Sequence, residues 1–235
     1  MSALDKLLDD LVVANRILAH ENVVDGFGHI SGRHPDRPDR FFLARSRSPE
    51  LVERDDLMEF DLDCNPIDQR GRGMYAERPI HGAIYKARPD VMSVVHNHAH
   101  ALIPFGVTAA KLRQIIHTAG GIGKEIPVWD IRTRFGDTDL LVRTMEQGAD
   151  LAAKLGPNRV ALMRGHGAAV AGRDVRHATY VAVYAMVNAE LQRQAMAVGE
   201  AVFLSDGEIA ATEQMTASPL AIDRVWEYWK RRAGC

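Results

Sequence analysis

The chain has 235 residues, 46% of them hydrophobic and 26% charged, with 29 Lys and Arg against 31 Asp and Glu for a net charge of −2. This length gives one domain or two small ones and can bury a core without staples, while the composition excludes a disordered tail protein. The even charge offers no basic stripe for a phosphate backbone, which argues against nucleic-acid binding. Cys64 and Cys235 are too few and too far apart for a disulfide framework or a thiolate metal site. The longest apolar runs, such as 181–187, fall far short of a membrane span. The start, MSALDKLLDDLVV, is acidic and amphipathic where a signal peptide would be basic and then apolar, so a cytoplasmic protein is expected. With no repeat and no Ser/Pro-rich linker, residues 1–235 read as a single domain.

In chain order, Leu4, Leu7, Leu8, Leu11 and Val12 share one face of a predicted helix that starts at a Ser2/Asp5 cap and runs to about residue 18. Residues 25–38, rich in Gly and Pro, read as a loop around a short strand. Short extended segments follow at 41–44 and 56–61, and 65–73 is turn material. Pro79 suits the first turn of a helix that carries Ile80, Ala83, Ile84 and Ala87 inward and stops before Pro89. Residues 91–96 read as a buried strand and 149–155 as a helix. A strand at 159–163 enters the turn Arg164-Gly165-His166-Gly167 and a second apolar run at 168–171. Asp174 caps the longest helix, about 175–198, on which Ala178, Val181, Ala182, Ala185 and Ala189 form a close-packing face. Ser205 and Glu208 make a capping box, and Pro219 starts a last helix carrying Ile222, Val225, Trp226 and Trp229. Short strands flanked by helices at both ends predict an α/β domain with a central sheet.

The unusual number is ten histidines. His96-Asn97-His98 ends the buried strand, and alternate strand residues share a face, so both rings can point at one ion. His100 extends the alternation, so the pair is His96/His98 or His98/His100; rigid strand geometry supports the first, and leaves His100 as a support or surface residue. Catalytic metal sites typically use three protein ligands, and His166, flanked by glycines after the next strand, supplies a third. Glu77 precedes the Pro79 helix, where a carboxylate either caps the helix dipole or, partly buried beside a metal, serves as a general acid/base with a raised pKa. His81 and Tyr85 follow on one stripe of that helix as packing or supporting residues. The segment Gly26-Phe27-Gly28-His29-Ile30-Ser31-Gly32 offers backbone amides to an anion but has the wrong spacing and context for a dinucleotide fingerprint. Arg45-Ser46-Arg47-Ser48 is either two solvated arginines or an anion clamp suited to carboxylates.

Taken together, Gly28-x-x-Ser31, Glu77-x-x-x-His81-x-x-x-Tyr85-x-x-Arg88-Pro89-Asp90, Val94-Val95-His96-Asn97-His98 and Gly165-His166-Gly167 resemble the class II aldolase/adducin family over roughly residues 4–215. The resemblance implies a three-layer α/β/α fold around a nine-stranded, mainly antiparallel sheet, and a homotetramer with active sites between subunits. It also implies one divalent metal per subunit on His96, His98 and His166, with Glu77 as the catalytic acid/base. A His₃ set leaves manganese, zinc and cobalt open.

Sugar-phosphate members hold their phosphate with a Gly-Asn pair, a Thr-Gly pair and two serines; here those places read Gly28-His29, Arg45-Ser46 and Tyr75-Ala76. Small phosphate donors give way to a His, an Arg and a Tyr, which favours a flatter ligand bearing carboxylates. The stretches at 44–51, 136–139 and 162–167 resemble the branch that decarboxylates hydroxylated aromatic or pyridine dicarboxylates. On this reading Gly28, His29, Ser31, Arg45, Ser46, Arg47, Tyr75 and His117 bind the substrate, and His117 or the segment around Trp226 and Tyr228 completes a neighbouring subunit's pocket. A sugar-phosphate aldolase or epimerase and a non-catalytic adducin-like module are the competing expectations; the first lacks its phosphate donors and the second should lack the metal histidines.

Overall fold

The computed structural model describes residues 1–216 and 218–235. Seven strands form one sheet in the order β3-β2-β1-β4-β7-β6-β5. They are β1 (His29–Arg33), β2 (Arg40–Ala44), β3 (Leu57–Asp61), β4 (Ser93–Asn97), β5 (Val128–Trp129), β6 (Val160–Met163) and β7 (Gly167–Gly172). Every pairing is antiparallel except β5 with β6. The strands are short, and β4 lies at the centre between β1 and β7.

Side chains alternate across these strands into two cores. Phe42, Ala44, Val95, Val160, Leu162, Ala168 and Val170 face the first, which α1 (Ala3–His20), α6 (Val175–Val198) and α8 (Pro219–Arg232) cover. Phe41, Leu43, Val94, Ala161, Met163, Ala169 and Ala171 face the second, under α2 (Pro79–Ala87) and α5 (Met145–Leu155). The result is the expected three-layer α/β/α arrangement. The helix ends follow local chemistry. Ser2 and Asp5 form a reciprocal capping box on α1, and the Asp174 carboxylate accepts the His177 N–H at the start of α6. Ala178, Val181, Ala182, Ala185 and Ala189 are fully buried, as a close-packing face requires.

The sheet departs from expectation in strand number: seven strands stand among the described residues where nine were expected. The irregular stretch 111–115 satisfies its backbone with amide side chains of α6 where a strand would use a neighbouring strand. Asn188 accepts from Ile115 N–H at 3.0 Å and donates to the Arg113 carbonyl at 2.8 Å. Gln192 accepts from Arg113 N–H and donates to the Lys111 carbonyl, both at 2.8 Å. Both amides are buried, so each reproduces a backbone pair inside the core.

Two stability measurements follow from this packing. Asn188→Leu removes the partners of the Ile115 N–H and the Arg113 carbonyl, so it should cost about 1–2 kcal/mol and lower the thermal midpoint by roughly 2–8 °C. Amide exchange should accelerate at 111–115 first; unchanged protection there would mean the segment is held by something else. His177, buried on α6, has its pKa pushed down to about 3 by burial and by Arg173 and Arg159. Its ring is therefore neutral in the native state while the unfolded chain takes up a proton below about pH 6.5. That contribution is complete above pH 6.5 and is lost as the pH falls toward 3. Between pH 7 and pH 5 the wild type should lose roughly 1–2 kcal/mol more than His177→Asn in urea unfolding.

A histidine and glutamate cluster at the end of the central strand

The functional side chains meet where β4 leaves the sheet. His96 lies on β4 and His98 just past its end, so alternation points both rings to one side. Antiparallel register sets His29 of β1 opposite His96. His166 comes from the tight β6–β7 turn. This turn can close against β4 because residue 167 is glycine: a Cβ there would sit 2.0 Å from the Asn97 carbonyl oxygen. Glu77 stands before α2, but its carboxylate does not cap the helix. Its Oε1 accepts the Val142 N–H at 2.9 Å, and its Oε2 lies 3.3 Å from His96 Nε2 and 3.4 Å from His166 Nε2.

Proton accounting shows what the cluster is built to hold. His96 Nδ1 faces the Ala168 carbonyl at 3.1 Å, and His166 Nδ1 faces the Leu140 carbonyl at 3.0 Å. A carbonyl only accepts, so each Nδ1 carries the ring proton and each Nε2 presents a lone pair. His98 Nε2 lies 3.0 Å from both of those nitrogens, and one ligand atom from each of the three rings and Glu77 lies within 4.8 Å of the others. Converging lone pairs repel unless they share a cation. Ligands around a zinc-sized ion at about 2.0–2.1 Å would stand roughly 3.3 Å apart, close to the spacing found here. The donor set fits a divalent metal held by His96, His98 and His166 with Glu77 beside it. His100 is exposed and outside the cluster.

The electrostatics overturn one expectation. Burial does oppose ionisation of Glu77, but positive charge at the facing His96 and His166 Nε2 atoms, which a bound cation would supply in place of ring protons, outweighs it and holds the carboxyl well below the usual carboxylate range. Glu77 is therefore ionised at rest, not poised as an acid by a raised pKa. Burial and the two neighbouring rings push His98 down to about 4, which keeps it a neutral ligand at neutral pH.

The other expected binding residues are placed unequally. His29 is buried with its ring 5.2 Å from that of His96 and 4.4 Å from that of Tyr75. Tyr75 donates its hydroxyl to the Arg47 carbonyl, and burial raises its pKa to about 12. Gly28 takes the left-handed region at φ 90°, and a Cβ there would meet Val24 at 2.6 Å and the His96 carbonyl oxygen at 3.1 Å. Ser31 departs from a binding role: it is fully buried, with its hydroxyl bonded to His81 and Tyr85. Arg45 and Arg47 are not a free clamp. Both pair with Asp56, Arg45 Nε at 2.5 Å and Arg47 Nη1 at 2.6 Å, which cancels one of their two charges. Ser46 is exposed and gives its backbone N–H to the Gly73 carbonyl. His117 is exposed on the 3-10 segment His117–Ile122 and outside the cluster, Trp226 is buried in the first core, and Tyr228 is exposed. A cleft of about 310 Å³ opens beside His98, lined by Val24, Asp25, His100, Met186 and Glu190 among others, and it has room for one small ring.

Sequence reasoning missed the loop that locks the centre. The Leu140 carbonyl orients His166 and the Val142 N–H orients Glu77, both through backbone atoms. The only signal nearby was the Gly136-Asp137-Thr138-Asp139 likeness.

Replacing His96, His98 or His166 by Ala should strip a bound divalent ion, read by metal analysis of the purified protein. His100→Ala should keep it. Retention by His96→Ala with loss by His100→Ala would contradict the geometry above.

The model of the class II aldolase and adducin N-terminal domain matches residues 9–193. Decarboxylase tropJ of Talaromyces stipitatus is 33% identical, covering 92% of this chain and 89% of its own length. The 3,4-dihydroxyphthalate decarboxylase of Arthrobacter keyseri is 29% identical, covering 88% of this chain and 86% of its own. Among solved structures, an aldolase II superfamily protein from Pseudomonas syringae superposes with a TM-score of 0.82 over 99% of this chain and 94% of that one; at 23% identity this shows the shared fold. With the histidine and glutamate cluster intact, the chain is a lyase of the class II aldolase and adducin family.

Proposed function

We propose that the protein is a divalent-metal-dependent, non-oxidative decarboxylase of a hydroxylated aromatic or pyridine dicarboxylate, losing the carboxylate ortho to the hydroxyl. The observation that carries the reading is the complete cluster of His96, His98, His166 and Glu77 in a chain similar to two decarboxylases over most of its length. The reading takes residues 1–235 as one domain, assembled as a homotetramer in which His117 or Tyr228 of a neighbouring subunit closes the pocket. Manganese, zinc and cobalt all suit the donor set.

A bound divalent ion supplies Lewis-acid stabilisation of negative charge on adjacent oxygens. The protein's own groups do the rest. Glu77, ionised at rest, can take the proton of the substrate hydroxyl, which makes the ring carbon bearing the departing carboxylate nucleophilic. The same carboxyl then returns that proton to the ring carbon. The bond to the carboxylate breaks, CO₂ leaves, and its electron pair restores the aromatic ring; the phenolate takes one proton from water, which closes the balance. The paired rings of Tyr75 and His29, 4.4 Å apart, offer the substrate ring one aromatic wall, and the guanidinium donors of Arg45 and Arg47 not taken by Asp56 and Glu53 suit the second carboxylate.

Proton transfer by a positioned carboxyl contributes about 10²–10⁴-fold, so Glu77→Gln should keep the metal and lose rate by that order. Arg45→Ala should raise KM more than it lowers kcat. Offered both substrate classes, metal-loaded enzyme should release CO₂ from a hydroxy-aromatic dicarboxylate. Cleavage or epimerisation of a phosphorylated ketose with no CO₂ released would restore the aldolase reading.

A further inference from the structure

Behind the metal cluster runs a buried chain of polar side chains, of which the mechanism above uses only the His29 ring. His29 Nδ1 lies 2.7 Å from His81 Nε2, His81 Nδ1 lies 2.6 Å from Ser31 Oγ, and Ser31 Oγ lies 2.7 Å from Tyr85 Oη. All four side chains are buried, His81 and Ser31 completely. Ring nitrogens 2.7 Å apart share one proton, and both rings lie in the core.

The direction of this chain follows from counting protons. Burial raises the Tyr85 phenol well above its ordinary value, so it keeps its proton, and the acceptor beside it is Ser31 Oγ. Ser31 must then donate to His81 Nδ1, since donating back to Tyr85 would orphan the phenolic proton at about 1–3 kcal/mol. His81 consequently carries its proton on Nε2 and gives it to His29 Nδ1. His29 is left with its proton on Nε2, which has no hydrogen-bond partner among the described residues. The reverse order would leave a hydroxyl proton unmatched in the core.

We infer that Ser31 and His81 are positioning residues that fix His29 as an Nε2–H donor, and that this donor binds an anionic oxygen of the substrate beside the metal centre. An acceptor-only carboxylate or phenolate oxygen matches such a donor, whereas the other tautomer would present a lone pair to it. The inference rests on the proposed decarboxylase reading for its ligand, but the tautomer does not depend on it.

The experiment is ¹⁵N–¹H imidazole spectroscopy of the zinc-loaded, substrate-free protein, with salicylate as the binding probe. His29 and His81 should both show a protonated Nε2 and a bare Nδ1. Tyr85→Phe should keep this pattern, because Ser31 still donates to His81; Ser31→Ala should release it. Salicylate should bind Ser31→Ala and His29→Phe roughly ten- to a hundredfold more weakly than wild type. A wild-type His29 protonated on Nδ1, or an unchanged pattern in Ser31→Ala, overturns the relay. Unchanged salicylate affinity in His29→Phe overturns the donor role. The predicted tautomer in a wild type that ignores salicylate and processes a phosphorylated ketose would instead count against the decarboxylase reading alone.

Discussion

Three imidazole Nε2 atoms converging in 3.0 Å steps at the end of β4, those of His96 and His166 with their lone pairs turned inward, are the constraint on which the rest of this structure depends. Such an arrangement is unfavourable by itself and makes sense only around a cation. Two of the three rings are held by bonds made elsewhere: the Ala168 and Leu140 carbonyls set the tautomers of His96 and His166. The central strand, the close β6–β7 turn and the loop at 136–143 are the means by which these bonds are made. Glu77 joins the cluster through the Val142 N–H, so one short loop orients both His166 and Glu77.

The site therefore has a rigid side and an open side. The rigid side is the sheet, where β1, β4 and β7 place His29, His96 and the Ala168 carbonyl in fixed register. The open side is the cleft by His98 and His100. Between them, Tyr75 stacks on His29 and reaches the Arg47 carbonyl, linking the metal cluster to the arginine pair. Asp56, with Glu53 at 3.9 Å from Arg47, tempers the charge of that pair.

Much of this was legible in residue order. The α6 boundaries follow from Asp174 and the close-packing alanines, and His96 and His98 show themselves by alternation after an apolar run. His166 is marked by its flanking glycines. What was hidden depends on contacts distant in sequence. Asp56 lies eleven residues from Arg45, and its pairing with both arginines appears only once β2 and β3 are side by side. The direction of the Glu77 shift needed the two rings that face it. The segment 111–115 has no periodicity because α6 amides satisfy it, and β5 is two residues long, too short for any pattern.

The most direct test is turnover of a hydroxy-aromatic dicarboxylate by the metal-loaded enzyme in D₂O, with CO₂ and product isotope followed together. One CO₂ per product, with a single deuterium at the ring carbon that lost it, is the predicted result. Absence of CO₂, with deuterium entering instead beside the carbonyl of a phosphorylated ketose, would contradict the account.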